Sequence, residues 1–259
     1  MKVYENLAPY YDRFMDHINY ETEAEAVYRF LFQIDRTHGR TLDVGAGSGG
    51  HMIPLLKMGI KTDGLDYSEG MCCILAEKLH HQHLPGHVLT GDMRCFTTEL
   101  PYDVIYCLGE TIHHLESLED ASAFFRCGYE ALKPGGYLIF SWQERGYFDE
   151  LADYGDFYDR HGDDYLLWST QLADDLDEEE HKEDAEDAAY LSYTAFIHEE
   201  KESYRRICET HRLAIYYRDE LEDAAGDAGF LLRNDMEELC FGELLTELPF
   251  KHITVLEKK

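Results

Sequence analysis

The sequence predicts an α/β protein built on a doubly wound, Rossmann-like sheet of about seven strands, and three observations predict it. From Thr41 onward, short apolar runs alternate with helical segments. Two of the runs, "YDVIYCLG" and "GYLIFSW", are apolar almost without interruption, which means burial on both faces. Strand plus helix recurs roughly every 20 to 35 residues, the length of a right-handed parallel crossover. A chain of 259 residues can bury one large core, so a single domain spanning 1–259 is expected rather than two separate ones.

The elements follow in order. Within residues 1–38, Phe14, Ile18, Val27, Phe30, Leu31 and Ile34 recur at helical spacing, and the polar "NYETEAEA" opens the second of two helices that precede the sheet. Core strands within 39–145 are "TLDVGAG", "KTDGLDYS", "HVLTGD", "YDVIYCLG" and "GYLIFSW". The alternation stops after Trp142. Residues 146–213 are rich in Tyr, acids and period-two runs such as "YLSYTAFIHEE" and "SYRRICETHRLAIYY", which suit an antiparallel insertion rather than another crossover. Residues 214–259 return to the core: "RDELEDAAGDAGF" reads as a helix ending at Gly229, and "LLRNDMEEL" and "FKHITVLEKK" as the last two strands.

Composition narrows the function. With 23 Lys plus Arg against 53 Asp plus Glu, the net charge of −30 repels nucleic acid and anionic membranes. Seven cysteines, an odd number without a C-x-x-C pair, suggest neither a disulfide framework nor a thiolate zinc site, and a reduced, cytoplasmic protein is expected. No apolar run reaches membrane-spanning length, and the first residues lack a signal-peptide stretch.

The stretch "LDVGAGSGG" carries the chemistry. After the first strand of an open parallel sheet a glycine turn lets the backbone approach a ligand closely. Gly45, Gly47 and Gly50 fit the G-x-G-x-x-G spacing of a dinucleotide site, while Asp43, Gly45, Gly47 and Gly49 fit D-x-G-x-G-x-G, the spacing of an S-adenosylmethionine site. Asp66 ends the second strand 21 residues after Gly45, where a carboxylate accepts ribose hydroxyls in either reading. Asp43 separates them. A diphosphate would face its carboxylate at low dielectric, whereas a sulfonium and an ammonium are attracted to it; at about 4 Å and an effective dielectric near 20 the difference is on the order of 4 kcal/mol. Asp92, in "GDMRCF", is placed to accept an adenine amine, which also favours the methyl donor.

With these motifs in hand, the chain resembles the class I S-adenosylmethionine-dependent methyltransferases. "LDVGAGSGG", "GLDYSEGM", "GDMRCF", "YDVIYCLGETIHHL" and "ALKPGGYLIF" stand in that family's order and spacing. Ala8, Tyr11, Asp12 and Met15 match an "A-x-x-YD-x-x-M" start found in small-molecule enzymes such as amino-sugar N-methyltransferases. The resemblance implies N-terminal lid helices, an antiparallel last strand, and an insertion that selects the acceptor. It places Gly45, Gly47 and Gly49 against the donor's methionine moiety, Asp66 on the ribose, Asp92 and Met93 at the adenine, and the Leu108 and Gly109 backbone at the α-amino group, with Ala46, Tyr67 and Met71 also at the donor. Tyr11 and Tyr20 would cover the donor and line the acceptor pocket, and Tyr11 is also a catalytic candidate. The product would be S-adenosylhomocysteine.

Methyl transfer from a sulfonium is an in-line displacement, so alignment and exclusion of water dominate over acid/base work. Candidates for a base or orienting group lie in "GETIHHL": His114, which matches the histidine of a "GHL" turn in the sugar-amine relatives, then His113 and Glu110. Trp168 and His211 are candidate acceptor contacts in the insertion. The run "DDLDEEEHKEDAEDA" from Asp174, with ten carboxylates and one lysine, reads as a solvated loop or as an attractor of cationic acceptors. The histidines of "HHQH" end a helix, so no metal is expected. The expectation is a methyltransferase of a small-molecule acceptor, an amine before a hydroxyl or carboxyl, acting as monomer or homodimer. The rivals are a nicotinamide-dependent oxidoreductase and a non-catalytic donor-binding protein.

Overall fold

The computed structural model describes residues 3–175, 187–200, 203–246 and 250–259. A 3-10 turn at Ala8–Tyr10 runs into the one-turn helix α1 (Tyr11–Phe14), and α2 (Tyr20–Gln33) follows. The Asn19 side chain starts α2 by accepting from the Thr22 N–H at 3.3 Å, one of the donors a first turn leaves open. The expected alternation comes next: β1 (Arg40–Val44), α3 (Met52–Lys57), β2 (Lys61–Asp66), α4 (Glu69–Gln82), β3 (Val88–Thr90), β4 (Tyr102–Cys107), α5 (Leu118–Ala131) and β5 (Leu132–Gln143). Helix α6 (Arg145–Tyr154) then leads to β6 (Phe157–His161), β7 (Asp164–Leu172), β8 (Ala188–His198) and β9 (Tyr204–Ala214). The chain closes with α7 (Arg218–Asp227), β10 (Phe230–Leu232), α8 (Asn234–Thr246) and β11 (Lys251–Lys258).

The main sheet has seven strands in the order β10-β11-β5-β4-β1-β2-β3, with β11 antiparallel to both its neighbours. Every residue of β4 is buried, which explains its unbroken apolar run. Val104 and Tyr106 pack with Val27, Phe30 and Leu31 of α2 on one face, while Ile105 and Cys107 pack with Phe124 and Phe125 of α5 on the other. Strand order reverses between β1 and β4, so their carboxyl ends frame the crevice in which such sheets hold ligands. The second sheet, β6-β7-β8-β9, is antiparallel; Leu166, Tyr193, Ala195 and Ile197 on it pack against Leu7 and Phe14 of the N-terminal segment.

Two elements differ from expectation. The insertion opens with α6, whose Phe148 buries against Leu172, Ala189 and Ile215, and only afterwards becomes antiparallel sheet. The strand expected over "LLRNDMEEL" is only Phe230–Leu232, and α8 begins at Asn234. Met236, Cys240 and Phe241 recur at helical spacing and bury in the cluster that holds Phe30, Phe241 stacking on that ring at 6.0 Å. A strand would have sent Phe241 to the face opposite Met236 and Cys240. Among the described residues, no helix is long and apolar enough to cross a membrane.

Phe241→Ala should therefore destabilise the fold by about 3–5 kcal/mol in urea denaturation, the cost of emptying a fully buried aromatic site. An effect under about 0.5 kcal/mol would show that α8 does not seal the sheet.

Candidate active site

At the end of β1 the backbone turns through Gly45 (φ +75°) and Gly47 (φ +53°). A Cβ on Gly45 would lie 2.3 Å from Thr111 Cγ2, so glycine is required by both space and dihedral. The Gly45 and Ala46 N–H groups donate to Leu65 O of β2 at 2.8 and 3.1 Å, which pins the turn to the neighbouring strand. Asp66, the last residue of β2, accepts from Gly47 N–H at 2.7 Å and Ser68 N–H at 2.8 Å. Burial pushes its carboxyl up, and these amides pull it back.

A cavity of about 390 Å³ lies beside this turn. Tyr11, Gly45, Gly47, Asp66, Tyr67, Met71, Asp92, Met93, Gly109 and His114, all picked out from sequence, line it. A second cavity, of about 110 Å³, is lined by Tyr20, Ala46 and Leu108. Tyr11, Gly45, Gly47, Gly109 and Thr111 border both, so one ligand can span them. The Tyr-Asp pair of the N-terminal segment divides its labour. Tyr11 turns into the cavity, its hydroxyl 3.4 Å from that of Tyr20, while Asp12 reaches the Ser48 hydroxyl at 2.5 Å and Lys78 Nζ at 2.5 Å. That carboxylate fastens α1 to the glycine turn and to α4.

Several expected residues stand elsewhere. Asp43 borders neither cavity; it is buried beneath the turn, and neither carboxylate oxygen has a partner with hydrogen-bond geometry. Burial pushes its carboxyl up to about 7, with His51 opposing and Asp66 adding to the rise, so near neutral pH it carries a partial charge instead of the full one expected. Gly49 also lies outside both cavities: its φ of +96° and a Cβ that would meet Leu75 Cδ1 at 2.4 Å require glycine for the backbone and the packing, not for ligand approach. Asp92 reaches the cavity already engaged by Arg94, whose Nη2 is 2.7 Å from Oδ2 and whose Nη1 reaches Asp120 at 3.1 Å. That guanidinium holds the Asp92 carboxyl below its usual value.

His113 and His114 sit in one 3-10 turn, Thr111–His114, and face opposite ways. His113 is fully committed: Nδ1 is 2.7 Å from Ala214 O, and Nε2 accepts from Gln143 N–H at 2.8 Å. Neither nitrogen is left for a substrate, which removes it as a catalytic candidate. Glu110 is occupied too, paired with Lys251 Nζ at 3.0 Å. His114 lines the larger cavity, its Nδ1 has no hydrogen-bond partner, and its ring meets Tyr4 at 5.8 Å and His211 at 5.7 Å. Burial, then the neighbouring His211 and His113, push it down to about 3, so it is neutral at physiological pH.

His211 stands behind the cavity wall, its Nε2 3.2 Å from Glu209 Oε2. Glu209 also accepts from Asn6 and Leu7 N–H at 2.6 and 3.1 Å, clasping the N-terminal segment to β9. Trp168 stacks on Phe157 at 5.4 Å and packs rather than lining a cavity. Sequence reasoning missed Tyr4, Thr111, Glu116, Tyr190 and Arg212 on the larger cavity and His51 on the smaller one. Tyr190 and Arg212 are directly opposed on β8 and β9, a pairing that only the strand register reveals. Most of the acidic run from Asp174 lies outside the described residues. No group of three or more potential metal ligands occurs among the described residues.

Residues 41–136 match the family described as a methyltransferase domain. A Bacillus subtilis (strain 168) protein named as a methyltransferase, YqeM, is similar at 25% identity over 231 residues, 89% of this chain and 87% of that one. The glycine/sarcosine N-methyltransferase of Halorhodospira halochloris is 31% identical over 151 residues, 56% of this chain and 54% of that one. Among solved structures, an S-adenosylmethionine-dependent methyltransferase from Clostridium acetobutylicum ATCC 824 shares the fold, with a TM-score of 0.76, 18% identity and 97% coverage of both chains.

The state of His114 has a stability signature. A histidine that unfolds from a value near 3 to one near 6.5 takes up a proton on unfolding between those limits, so stability is lost as pH falls through that window. Between pH 7.5 and 5 the wild type should lose about 2 kcal/mol more than His114→Gln in chemical denaturation. Equal losses in the two proteins would show that His114 protonates freely in the folded state.

Proposed function

We propose, on the premise that the chain is an S-adenosylmethionine-dependent methyltransferase, that its acceptor is a small molecule and its nucleophile an amine. The residues present fit the donor. A buried carboxyl under the glycine turn, faced by His51, is a poor neighbour for a diphosphate and a good one for a positively charged ligand, and Gly45 leaves the backbone open to close approach. Asp66 is the ribose acceptor, and Met93 with Asp92 flanks the adenine. Both Asp92 oxygens already accept from Arg94, Oδ1 from the backbone N–H and Nε and Oδ2 from Nε and Nη2, so the exocyclic amine competes with that pairing. When bound, the donor supplies a sulfonium methyl that leaves by in-line displacement.

The chain's own task is then to hold the acceptor in line and keep water out. The N-terminal segment contributes Tyr4 and Tyr11 to the cavity wall, and Glu209 holds that segment down. His114 carries the argument for an amine. An imidazole kept neutral down to about pH 3 can accept a hydrogen bond from an N–H but cannot retain a proton taken from a hydroxyl. An amine that has shed its proton to water brings its own lone pair and needs only orientation. The N-methyltransferase name of the Halorhodospira relative supports the same reading.

Calorimetric titration should show micromolar binding of S-adenosylhomocysteine and none of NAD. Asp66→Ala should weaken the former by roughly tenfold or more, and His114→Gln should lower turnover by about 10²-fold at nearly unchanged donor affinity. Labelled-methyl transfer to a panel of small amines and alcohols tests the acceptor class: product from alcohols alone would overturn the amine, and tight NAD binding without a response to S-adenosylhomocysteine would overturn the donor.

A further inference from the structure

Buried charges cluster at the smaller cavity, which Glu23, His51 and Glu110 line and Lys251 backs. Lys251, at the start of β11, lies with Nζ 2.6 Å from Glu23 Oε1 of α2 and 3.0 Å from Glu110 Oε1. The other Glu23 oxygen, Oε2, is 2.8 Å from His51 Nε2. Glu23, Lys251 and His51 are each less than a tenth exposed. The Tyr20 ring meets the His51 imidazole edge-on at 5.1 Å, and His51 Cε1 lies 3.7 Å from where a Cβ on Gly109 would stand.

Such a cluster is an expensive way to fill a core. Each ion loses its hydration, and a well-packed apolar group of similar volume commonly gives equal or greater stability. What the charges do provide is geometry. Glu23 bridges Lys251 and His51, so the His51 ring cannot rotate without breaking its hydrogen bond to a buried carboxylate. The fixed ring looks into a cavity that also exposes Ser48, Tyr20 and Glu110 and is continuous with the larger one through Gly45, Gly47 and Gly109. Acidic and donor groups lining one cavity suit a small dipolar group carrying both an ammonium and a carboxylate.

We infer that Glu23 and Lys251 are positioning residues that lock His51 at the smaller cavity for the amino-acid end of the donor, whose nucleoside occupies the larger one. This inference rests on the donor reading given above. Lys251 balances Glu23 and Glu110 from behind, and His51 touches the ligand.

The test compares S-adenosylhomocysteine with 5′-methylthioadenosine, which keeps the nucleoside and the sulfur but lacks the amino-acid portion. In calorimetric titrations, Glu23→Gln should weaken S-adenosylhomocysteine about tenfold or more while leaving methylthioadenosine within about twofold of wild type. Circular dichroism establishes that the variant is folded. Should it not fold, Glu23→Gln with Lys251→Met, which removes both charges together, should give the same selective loss. An equal loss for both ligands, or no loss for S-adenosylhomocysteine, overturns the positioning role. A wild type that binds neither compound overturns the donor reading itself.

Discussion

The absence of one side chain sets the geometry of the sheet's carboxyl edge. Gly45 passes so close to Thr111 that any β-carbon would overlap it, and this contact brings the turn after β1 against the turn after β4. Other attachments build on that approach. Gly47 offers its amide to Asp66, Ser48 offers its hydroxyl to Asp12, and through Asp12 the first helix is moored to the loop and to α4. The two cavities share their border along this seam, so the glycine turn forms the common wall of both binding spaces.

Adjacent histidines show how local geometry divides roles. In a 3-10 turn successive side chains diverge by about 120°. His113 goes inward and uses both nitrogens to tie the turn to β5 and to the end of β9, while His114 faces the cavity among aromatic rings. The first is a joint between the two sheets. The second is a neutral hydrogen-bonding group in a dry setting, a condition enforced by burial and by its imidazole neighbours.

What could be read from sequence follows from what is local. Strand periodicity, the glycine spacing and the acids closing β2 and following β3 depend on short-range backbone rules, and the corresponding elements stand where expected. The "LLRNDMEEL" segment was misread because its leading leucines favour a strand, while the helical set Met236, Cys240 and Phe241 is completed only beyond it. His113 and His114 were not separable, since nothing in the sequence fixes which way a turn faces. The partial charge of Asp43 was hidden because burial depth is a property of the assembled core. Glu23 and Lys251, 228 positions apart, gave no pairwise signal, although a lysine opening an apolar strand is itself unusual.

The place of β11 has a consequence for biosynthesis. It follows β5 by more than a hundred residues, yet it pairs directly with that strand, between β5 and β10, and its first residue anchors to the much earlier helix α2. Vectorial synthesis thus leaves an open slot beside β5, with unpaired backbone groups along one edge, until β11 emerges. Completion of the core, and burial of the Glu23 carboxylate with its lysine, wait for β11. A nascent chain stalled before Lys251 would hold an exposed apolar edge, a natural substrate for chaperones.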